Sequence, residues 1–569
     1  MNNKEVAQLL YGIADLLELK GEMIFKVVAY RRAAQNIENF SKPVEDLWKE
    51  NTLNTIPGVG KGIAEHIDEF LRTGKSEYLE KMKKKMPMDF ESLMNIEGLG
   101  PKKVKMLYDK LKIKTVKDLE SAAKAGKIRK LAGMGEKTEQ NILKGIEFSK
   151  KAKQRMLLGV ALPMAEHIIN NLRKLGYVHK AEYAGSLRRK KETIGDIDIL
   201  VTSSQPNKVI NHFTKMPGVA DVIVKGPTKV SVHYNNIQVD LRVLKENEYG
   251  SALLYFTGSK EHNIELRKVA IAKKLKLSEY GLFRGNKMIA GCTEEEVYKA
   301  LGMQYIEPEM REEHGEIRLA QKHSLPKIIS YSDVVADLHM HTKWSDGLNT
   351  IEEMALAAKQ LGYDYICITD HVGKLKIASA LSEKDIDKQR KEIEKVQDKT
   401  GIHILHGAEI DIRVDGRFDV SNEALKKFDL VFAALHSALK GPIERNTQRI
   451  IKAMENPNVD IIAHPTGRLI DRREGATLDI QKIIKKSLET NTVMEINSQP
   501  NRLDLNDVNA KAALEDGCKL VINTDAHSAD PLKAMKLGVA VARRAWTQKK
   551  DILNTLSYKE FCKHFGISC

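Results

Sequence analysis

The sequence predicts a multidomain protein: a helical N-terminal region, an α/β region, and a C-terminal barrel of repeated βα units. Three observations carry that reading. A Gly-x-Gly turn recurs three times before residue 140. Helix and strand patterns then alternate between about residues 156 and 243. From Val334 onward the alternation becomes regular, and one apolar run after another ends in His, Asp or Glu, as expected of a βα-repeat barrel. At 569 residues the chain is too long for one core and suggests three or four domains.

Residues 1 to about 155 read as short helices, beginning with Val6, Leu9, Leu10, Ile13, Leu16 and Leu17 at helical spacing. The recurring turns are Gly58-Val59-Gly60-Lys61, Gly98-Leu99-Gly100 with Lys102, and Gly133-Met134-Gly135 with Lys137. Each precedes a helical pattern, which is a helix-hairpin-helix signature. Two glycines permit a tight turn, so backbone N–H groups at the next helix N-terminus face a phosphate, and the lysine adds charge. One such turn is an ordinary turn. Three in a basic chain predict DNA binding through the backbone, by Gly58, Gly60, Lys61, Gly98, Gly100, Lys102, Gly133, Gly135 and Lys137. The net charge of +15 and pI of about 9.2 point the same way, toward a polyanionic partner.

No apolar run approaches the ~18 residues that span a bilayer. The start, Met1-Asn2-Asn3-Lys4-Glu5-Val6, lacks a signal-peptide core. Five scattered cysteines without a C-x-x-C pair argue against a disulfide framework or a cysteine zinc finger, and a cytoplasmic location is expected.

In the α/β region a helix from Met164 to Leu175 precedes Gly185-Ser186, and strands follow at 196–201, 219–224 and 238–243. Asp196 and Asp198 are two apart on a strand and project from one face. Side by side they repel unless a cation lies between them. Mg²⁺ suits them, taking oxygen ligands while keeping positions for phosphate. A lone Asp-x-Asp often only faces solvent. Asp240, in a neighbouring strand context, supplies a third carboxylate, and Asp221 at a strand start is a weaker candidate.

In the barrel His339 and His341 share one face of the first strand, and His371, Glu409, His436, His464, Asp525 and His527 end later strands. Such ends converge on one rim, where active sites form. With Asp346 there are nine ligand candidates, enough for up to three ions. Imidazoles and carboxylates suit Zn²⁺ or Mn²⁺, and the expected chemistry is metal-assisted hydrolysis.

Gly185-Ser186-Leu187-Arg188-Arg189, the three aspartates and Tyr255-Phe256-Thr257-Gly258-Ser259 resemble the palm and thumb of family X DNA polymerases, over roughly residues 1–315. The barrel set resembles the PHP (polymerase and histidinol phosphatase) domain over 334–569. The resemblance implies a fold class of helix-hairpin-helix region, α/β nucleotidyltransferase palm, small α+β thumb and a distorted (β/α)7-type barrel. Its boundaries are 1–90 (lyase-like), 91–155 (second helix-hairpin-helix subdomain), 156–243 (palm), 244–315 (thumb), 316–333 (linker) and 334–569 (PHP). It implies that Asp196, Asp198 and Asp240 are catalytic and hold Mg²⁺, and that Ser186 and Arg189 bind the triphosphate. Tyr255 and Phe256 would line the sugar pocket and discriminate against ribose, Gly258 would help bind the nucleotide, and Asn263 and Arg267 would lie near the nascent pair. Glu409 would bridge two ions, with Asp411 and Asp370 behind the ligands. His403 and His406 match no ligand position. Arg413, Lys440 and Arg468 are expected to neutralise DNA phosphate.

The implied function is repair of short gaps by nucleotidyl transfer from dNTPs on primer-template DNA, coupled to a 3'-5' exonuclease with AP endonuclease or 3'-end processing. The competing readings are a PHP phosphoesterase tethered to DNA by an inactive polymerase part, and a non-catalytic DNA-bridging scaffold. One departure from the family stands out. The lysine that forms an imine with 5'-deoxyribose phosphate is replaced by His66, which cannot form one. Lyase activity of that type is expected to be weak or absent, with Lys61 the nearest substitute nucleophile.

Overall fold

The computed structural model describes residues 3–20, 22–38, 44–56, 58–84, 88–94, 96, 99, 101–131, 133–151, 155–373, 380–470 and 474–568. The chain forms two compact units, Met1–Gln154 and Arg155–Cys569.

The first unit is helical. Its predicted apolar stripe, Val6, Leu9, Leu10, Ile13, Leu16 and Leu17, is buried on the helix Asn3–Lys20. Gly58 and Gly133 have φ of 85° and 75°, the left-handed region that glycine enters without strain. Each leads to a helix start: Lys61–Thr73 follows Gly60 as its N-cap, and Glu136–Lys151 follows Gly135. The helix Pro101–Leu111 opens at the second repeat. Gly98 and Gly100 lie outside the described residues, as do the side chains of Lys102 and Lys137.

The second unit holds all seventeen strands among the described residues: β1 Met156–Leu157, β2 Val178–Tyr183, β3 Thr193–Ile194, β4 Asp196–Ser203, β5 Val219–Lys225, β6 Lys229–Tyr234, β7 Ile237–Leu244, β8 Lys276–Ser278, β9 Gly281–Arg284, β10 Lys287–Ala290, β11 Ala336–Asp337, β12 Tyr365–Ile368, β13 His403–Asp411, β14 Leu430–Ala434, β15 Ile461–Ala463, β16 Val493–Asn497 and β17 Leu520–Asn523. The palm is a mixed sheet in the order β2-β4-β7-β6-β5. β4 and β7 run parallel at its centre, with alternate residues of β7 buried. The thumb is the antiparallel sheet β10-β9-β8 with the helices Lys260–Ala272 and Glu294–Ala300.

Part of the stretch read as a linker is ordered against the thumb. Residues Glu316–Gln321 form a helix that buries Ile317 and Ala320 in the thumb core with Leu266 and Tyr298. Six residues with charged neighbours offer too few turns for an apolar period to show.

Palm and thumb are joined by a buried ion cluster. Arg188 of the palm reaches Glu294 at 2.6 Å, and Arg311 reaches it at 2.5 Å. Burial alone would push the Glu294 carboxyl up, but the two guanidinium groups hold it down at about 2. A carboxylate depressed below its unfolded value contributes stability above that value, and the contribution fades as pH falls toward the folded one. Glu294→Gln is therefore expected to cost on the order of 3 kcal/mol at pH 7. The difference from the unaltered chain should shrink between about pH 4.5 and 2, as read by denaturant melts across that window.

The barrel sheet β11 to β17 is parallel throughout, each strand beside its successor. The apolar strands are buried on both faces, as parallel sheets covered by helices require. The first and last strands meet beyond their ends, through a parallel bridge between Met340 and Ala526 and a 2.8 Å bond from His341 N–H to the Ala526 carbonyl. The barrel is thereby nearly closed. Cys292, Cys367 and Cys518 are free thiols. Cys562 is disulfide-bonded.

Candidate active sites

At the centre of the palm, Asp198 on β4 stands opposite Asp240 on β7, and Asp196 stands opposite Gln238. The parallel register puts the three carboxylates at one end of adjacent strands. Gly185, at φ 63°, closes over them: a Cβ there would lie 2.7 Å from Asp198 Oδ2. Only glycine permits that approach. Asp240 accepts from Gln238 Nε2 at 2.9 Å and pairs with Lys229 at 3.3 Å. Burial, Asp196 and Asp240 push the Asp198 carboxyl up to about 7, and burial and Asp240 raise that of Asp196. Asp221 instead pairs with His233 at 2.7 Å on the β5–β6 edge. Crowded acidic oxygens without enough cationic partners are the donor set of a hard divalent cation.

Beside them, Ser186 and Arg188 lie on the short helix Gly185–Arg188. Arg189 Nε donates to Glu312 at 3.0 Å, and its guanidinium also bonds the Thr257 carbonyl. Gly258 (φ 69°) faces Arg189, whose nearest nitrogen would be 3.1 Å from a Cβ there. Tyr255 and Phe256 meet edge to face at 5.1 Å, and Arg242 lies over the Phe256 ring at 4.4 Å. Asn263 donates to the Tyr255 carbonyl at 2.6 Å, and Arg267 to the Asn263 carbonyl at 3.2 Å. Tyr255, Asn263 and Arg267 line one small cleft with Leu254 and Leu277.

The barrel rim is organised around Glu409, at the end of β13. Its Oε2 lies 3.1 Å from His371, 3.4 Å from His341 and 3.5 Å from His339. Its Oε1 lies 3.0 Å from His464 and 3.3 Å from His436. Asp525 Oδ1 is 3.2 Å from His341, and Asp346 faces His527 at 3.6 Å and His371 at 3.7 Å. Three groups have ligand atoms within 4.8 Å of one another: His341, Asp346, His371 and His527; His339, His341 and Glu409; and His371, Glu409 and His436. His341, His371 and Glu409 are each shared by two groups. All nine sequence-predicted residues thus meet on one rim.

The chemistry of this rim calls for cations. Burial would push the Glu409 and Asp525 carboxyls up, yet the surrounding imidazoles hold both well below the usual range. They are charged in a dry site. The Nδ1 atoms of His341 and His464 are buried and have no hydrogen-bond partner. His464 and Asp525 also sit at φ 27° and 52°, conformations costly for residues with side chains and typical of functional sites. Nitrogen and oxygen donors without sulfur suit divalent transition ions or zinc.

Other residues orient this rim. Asp411 meets His436 Nδ1 at 3.2 Å. Asp370 accepts from Thr342 N–H at 2.7 Å, from the Thr342 and Ser345 hydroxyls at 2.6 and 2.5 Å, and from Gln389, fixing the loop that carries Asp346. Sequence reasoning assigned no role to Glu495, in the middle of β16. Its Oε1 lies 2.8 Å from His339 Nδ1 and its Oε2 accepts from His464 N–H at 2.8 Å. Arg502, 3.5 Å from Asp525, was also missed. Glu495 follows the apolar pair Val493-Met494 as the ligands follow apolar runs, and that is the signal that finds it. Arg502 lies on a loop without a pattern.

His403 stacks on Tyr558 at 4.0 Å, and His406 bonds Gln389 at 2.9 Å; neither joins the metal-ligand groups. Arg413 pairs with Asp419 at 2.6 Å, and Lys440 is exposed. Arg468, expected at DNA phosphate, is instead committed within the protein. It pairs with Glu192 of the palm at 2.7 Å and donates to the Arg502 and Leu503 carbonyls at 2.8 and 2.6 Å. In the helical unit His66 is half-buried and stacks on Tyr78 at 4.4 Å. Burial lowers its pKa.

Comparison with known proteins bears on both sites. Residues 252–312 match the DNA polymerase beta thumb, and residues 337–499 the PHP domain. Residues 1–76 match a helix-hairpin-helix domain, and residues 90–147 a SAM-like helix-hairpin-helix tandem. The chain is 38% identical over 566 residues to the DNA polymerase/3'-5' exonuclease PolX of Bacillus subtilis (strain 168), covering 98% of each. It is 26% identical to DNA polymerase lambda of Rattus norvegicus over 341 residues, 54% of this chain and 56% of that one. A probable phosphatase of Thermoanaerobacter sp. (strain X514) is 33% identical over 233 residues, 39% of this chain and 91% of that protein.

Proposed function

We infer the activity from the family: the chain belongs to the bacterial family X DNA polymerases with a C-terminal PHP domain, and it is a DNA polymerase and a 3'-5' exonuclease. The finer reading is that it fills short gaps in repair, extending a primer from dNTPs in the palm and trimming or unblocking 3' ends, abasic sites included, at the barrel rim. The observation that carries it is the facing of Asp198 and Asp240 across parallel strands in the same unit as the Glu409-centred rim. The tethered-phosphoesterase and scaffold readings leave that carboxylate pair without a use.

In this reading Asp196, Asp198 and Asp240 hold Mg²⁺, and the nine rim residues hold Zn²⁺ or Mn²⁺. Such ions lower the pKa of an attacking oxygen and neutralise charge on phosphate. The chain's own residues do the rest. Ser186 and Arg189 hold the triphosphate, and Tyr255 and Phe256 bound the sugar. Glu495 and Asp411 accept from the Nδ1 atoms of His339 and His436, which turns each Nε2 toward the rim. The glycine turns at Gly58 and Gly133 offer helix N-termini to the DNA backbone.

The test is a 5'-labelled primer in a gapped duplex, with Mg²⁺ or Mn²⁺ and with or without dNTPs. It compares the chain with Asp198→Ala and His339→Ala. Loss of neither activity in either variant overturns the site assignments.

An imine-forming lyase step is expected to be weak or absent, because His66 holds the position of the family lysine. Borohydride is expected to trap little of the full chain on DNA bearing a 5'-deoxyribose phosphate. Efficient trapping would show another nucleophile, with Lys61 the first to replace.

A further inference from the structure

The barrel does more than sit beside the palm. Its helix Met535–Arg544 ends in two arginines that both reach into the polymerase half. Arg543 pairs with Glu309 at 2.8 Å and Glu307 at 3.0 Å, and donates to the Ile329 carbonyl at 2.8 Å. Arg544, 4% exposed, donates to Glu312 at 3.0 Å and to the Arg189 carbonyl at 2.8 Å. Its other side pairs with Asp507 of the barrel at 2.6 Å. Glu312 in turn takes Arg189 Nε at 3.0 Å and Lys191 at 3.5 Å. The neighbouring Arg311 carbonyl accepts from Ser259 N–H at 3.0 Å, so the same segment braces Thr257-Gly258-Ser259. The junction is dry and close: a Cβ on Gly159 of the palm would lie 2.5 Å from Pro500 of the barrel.

Arg544 therefore touches the nucleotide-site arginine twice, once at its carbonyl and once through the carboxylate that orients its guanidinium. A guanidinium forks over two acceptors in fixed geometry, which a lysine ammonium does not do. We propose that Arg544, a barrel residue, is a positioning residue for polymerisation: by holding Glu312 and the Arg189 backbone it sets the Arg189 guanidinium that receives the triphosphate. This rests on the nucleotide-binding role proposed above for Arg189. Burial would push the Glu312 carboxyl up, yet Arg189, Lys191 and Arg544 hold it well below the usual range, in keeping with a permanently charged anchor.

The experiment uses the full chain and compares the unaltered protein with Arg189→Ala, Arg544→Ala and Arg544→Lys. It measures KM and kcat for a dNTP on gapped primer-template DNA, 3'-5' degradation of single-stranded DNA, and Tm. Loss of the charge-assisted bonds is expected to raise the dNTP KM about ten- to a hundredfold in Arg544→Ala. kcat is expected to change much less, and degradation to stay near that of the unaltered chain. Arg544→Lys keeps a charge beside Asp507 but lacks the fork. It is expected to raise KM without lowering Tm as far, and it decides the matter if the alanine variant fails to fold. An unchanged KM in Arg544→Lys and in folded Arg544→Ala, with KM raised in Arg189→Ala, overturns the proposal. An unchanged KM in Arg189→Ala overturns the nucleotide-site reading itself.

Discussion

Asp198→Ala is expected to lower primer extension by about a thousandfold or more, ~4 kcal/mol of transition-state stabilisation, while 3'-5' degradation continues. Asp198 is the middle carboxylate, two residues from Asp196 on its own strand and opposite Asp240 on the next. Removing it leaves two acidic groups too few to hold cations around a triphosphate. The fold should not suffer. Burial and two neighbouring carboxylates already push the Asp198 carboxyl up to about 7, so its ionised form is under repulsion, and alanine relieves that. The variant is expected to melt no lower than the unaltered chain in metal-free buffer, which separates lost chemistry from lost structure. Extension at the unaltered rate would remove Asp198 from the catalytic set.

His339→Ala is expected to do the reverse, abolishing degradation to within about a thousandth of its rate and sparing extension. The ring lies between Glu495 at 2.8 Å and Glu409 at 3.5 Å, with Asp525 at 3.7 Å. Its loss deletes one metal-facing nitrogen and takes one hydrogen-bond donor from the buried Glu495. Unlike Asp198→Ala, this variant is expected to melt lower, since a buried carboxylate loses a hydrogen bond and the ring leaves a gap in the rim. Transition-metal content of the purified chain, measured beside degradation, should fall as well. Full degradation with unchanged metal content would exclude His339 from the site.

Both sites were legible because their signals are local. A strand period of two puts Asp196 and Asp198 on one face, and parallel strands bring their C-terminal ends to one rim. His339 through His527 could thus be gathered without knowing a single distance. What escaped was whatever depends on pairs far apart in sequence. Arg544 and the Arg189 carbonyl are 355 positions apart, and Arg468 and Glu192 are 276 apart. No window of sequence joins them, and Arg468 read naturally as a basic residue awaiting phosphate. The helix at 316–321 escaped for a different reason: its two buried apolar residues, Ile317 and Ala320, are too few to mark a period.

The Glu192–Arg468 pair has a consequence for how a DNA end is shared. Glu192 precedes Asp196 by four positions, and Arg468 follows His464 by four. The pair thus ties the palm to the barrel rim, alongside the Arg543 and Arg544 contacts. If one DNA end serves both sites, a mismatched 3' terminus is expected to be degraded faster than a paired one. A well-paired end has little reason to leave, whereas a frayed or mismatched end is already loose. Equal degradation of paired and mismatched 3' ends on the same gapped duplex would show that terminal-pair stability does not govern the exchange.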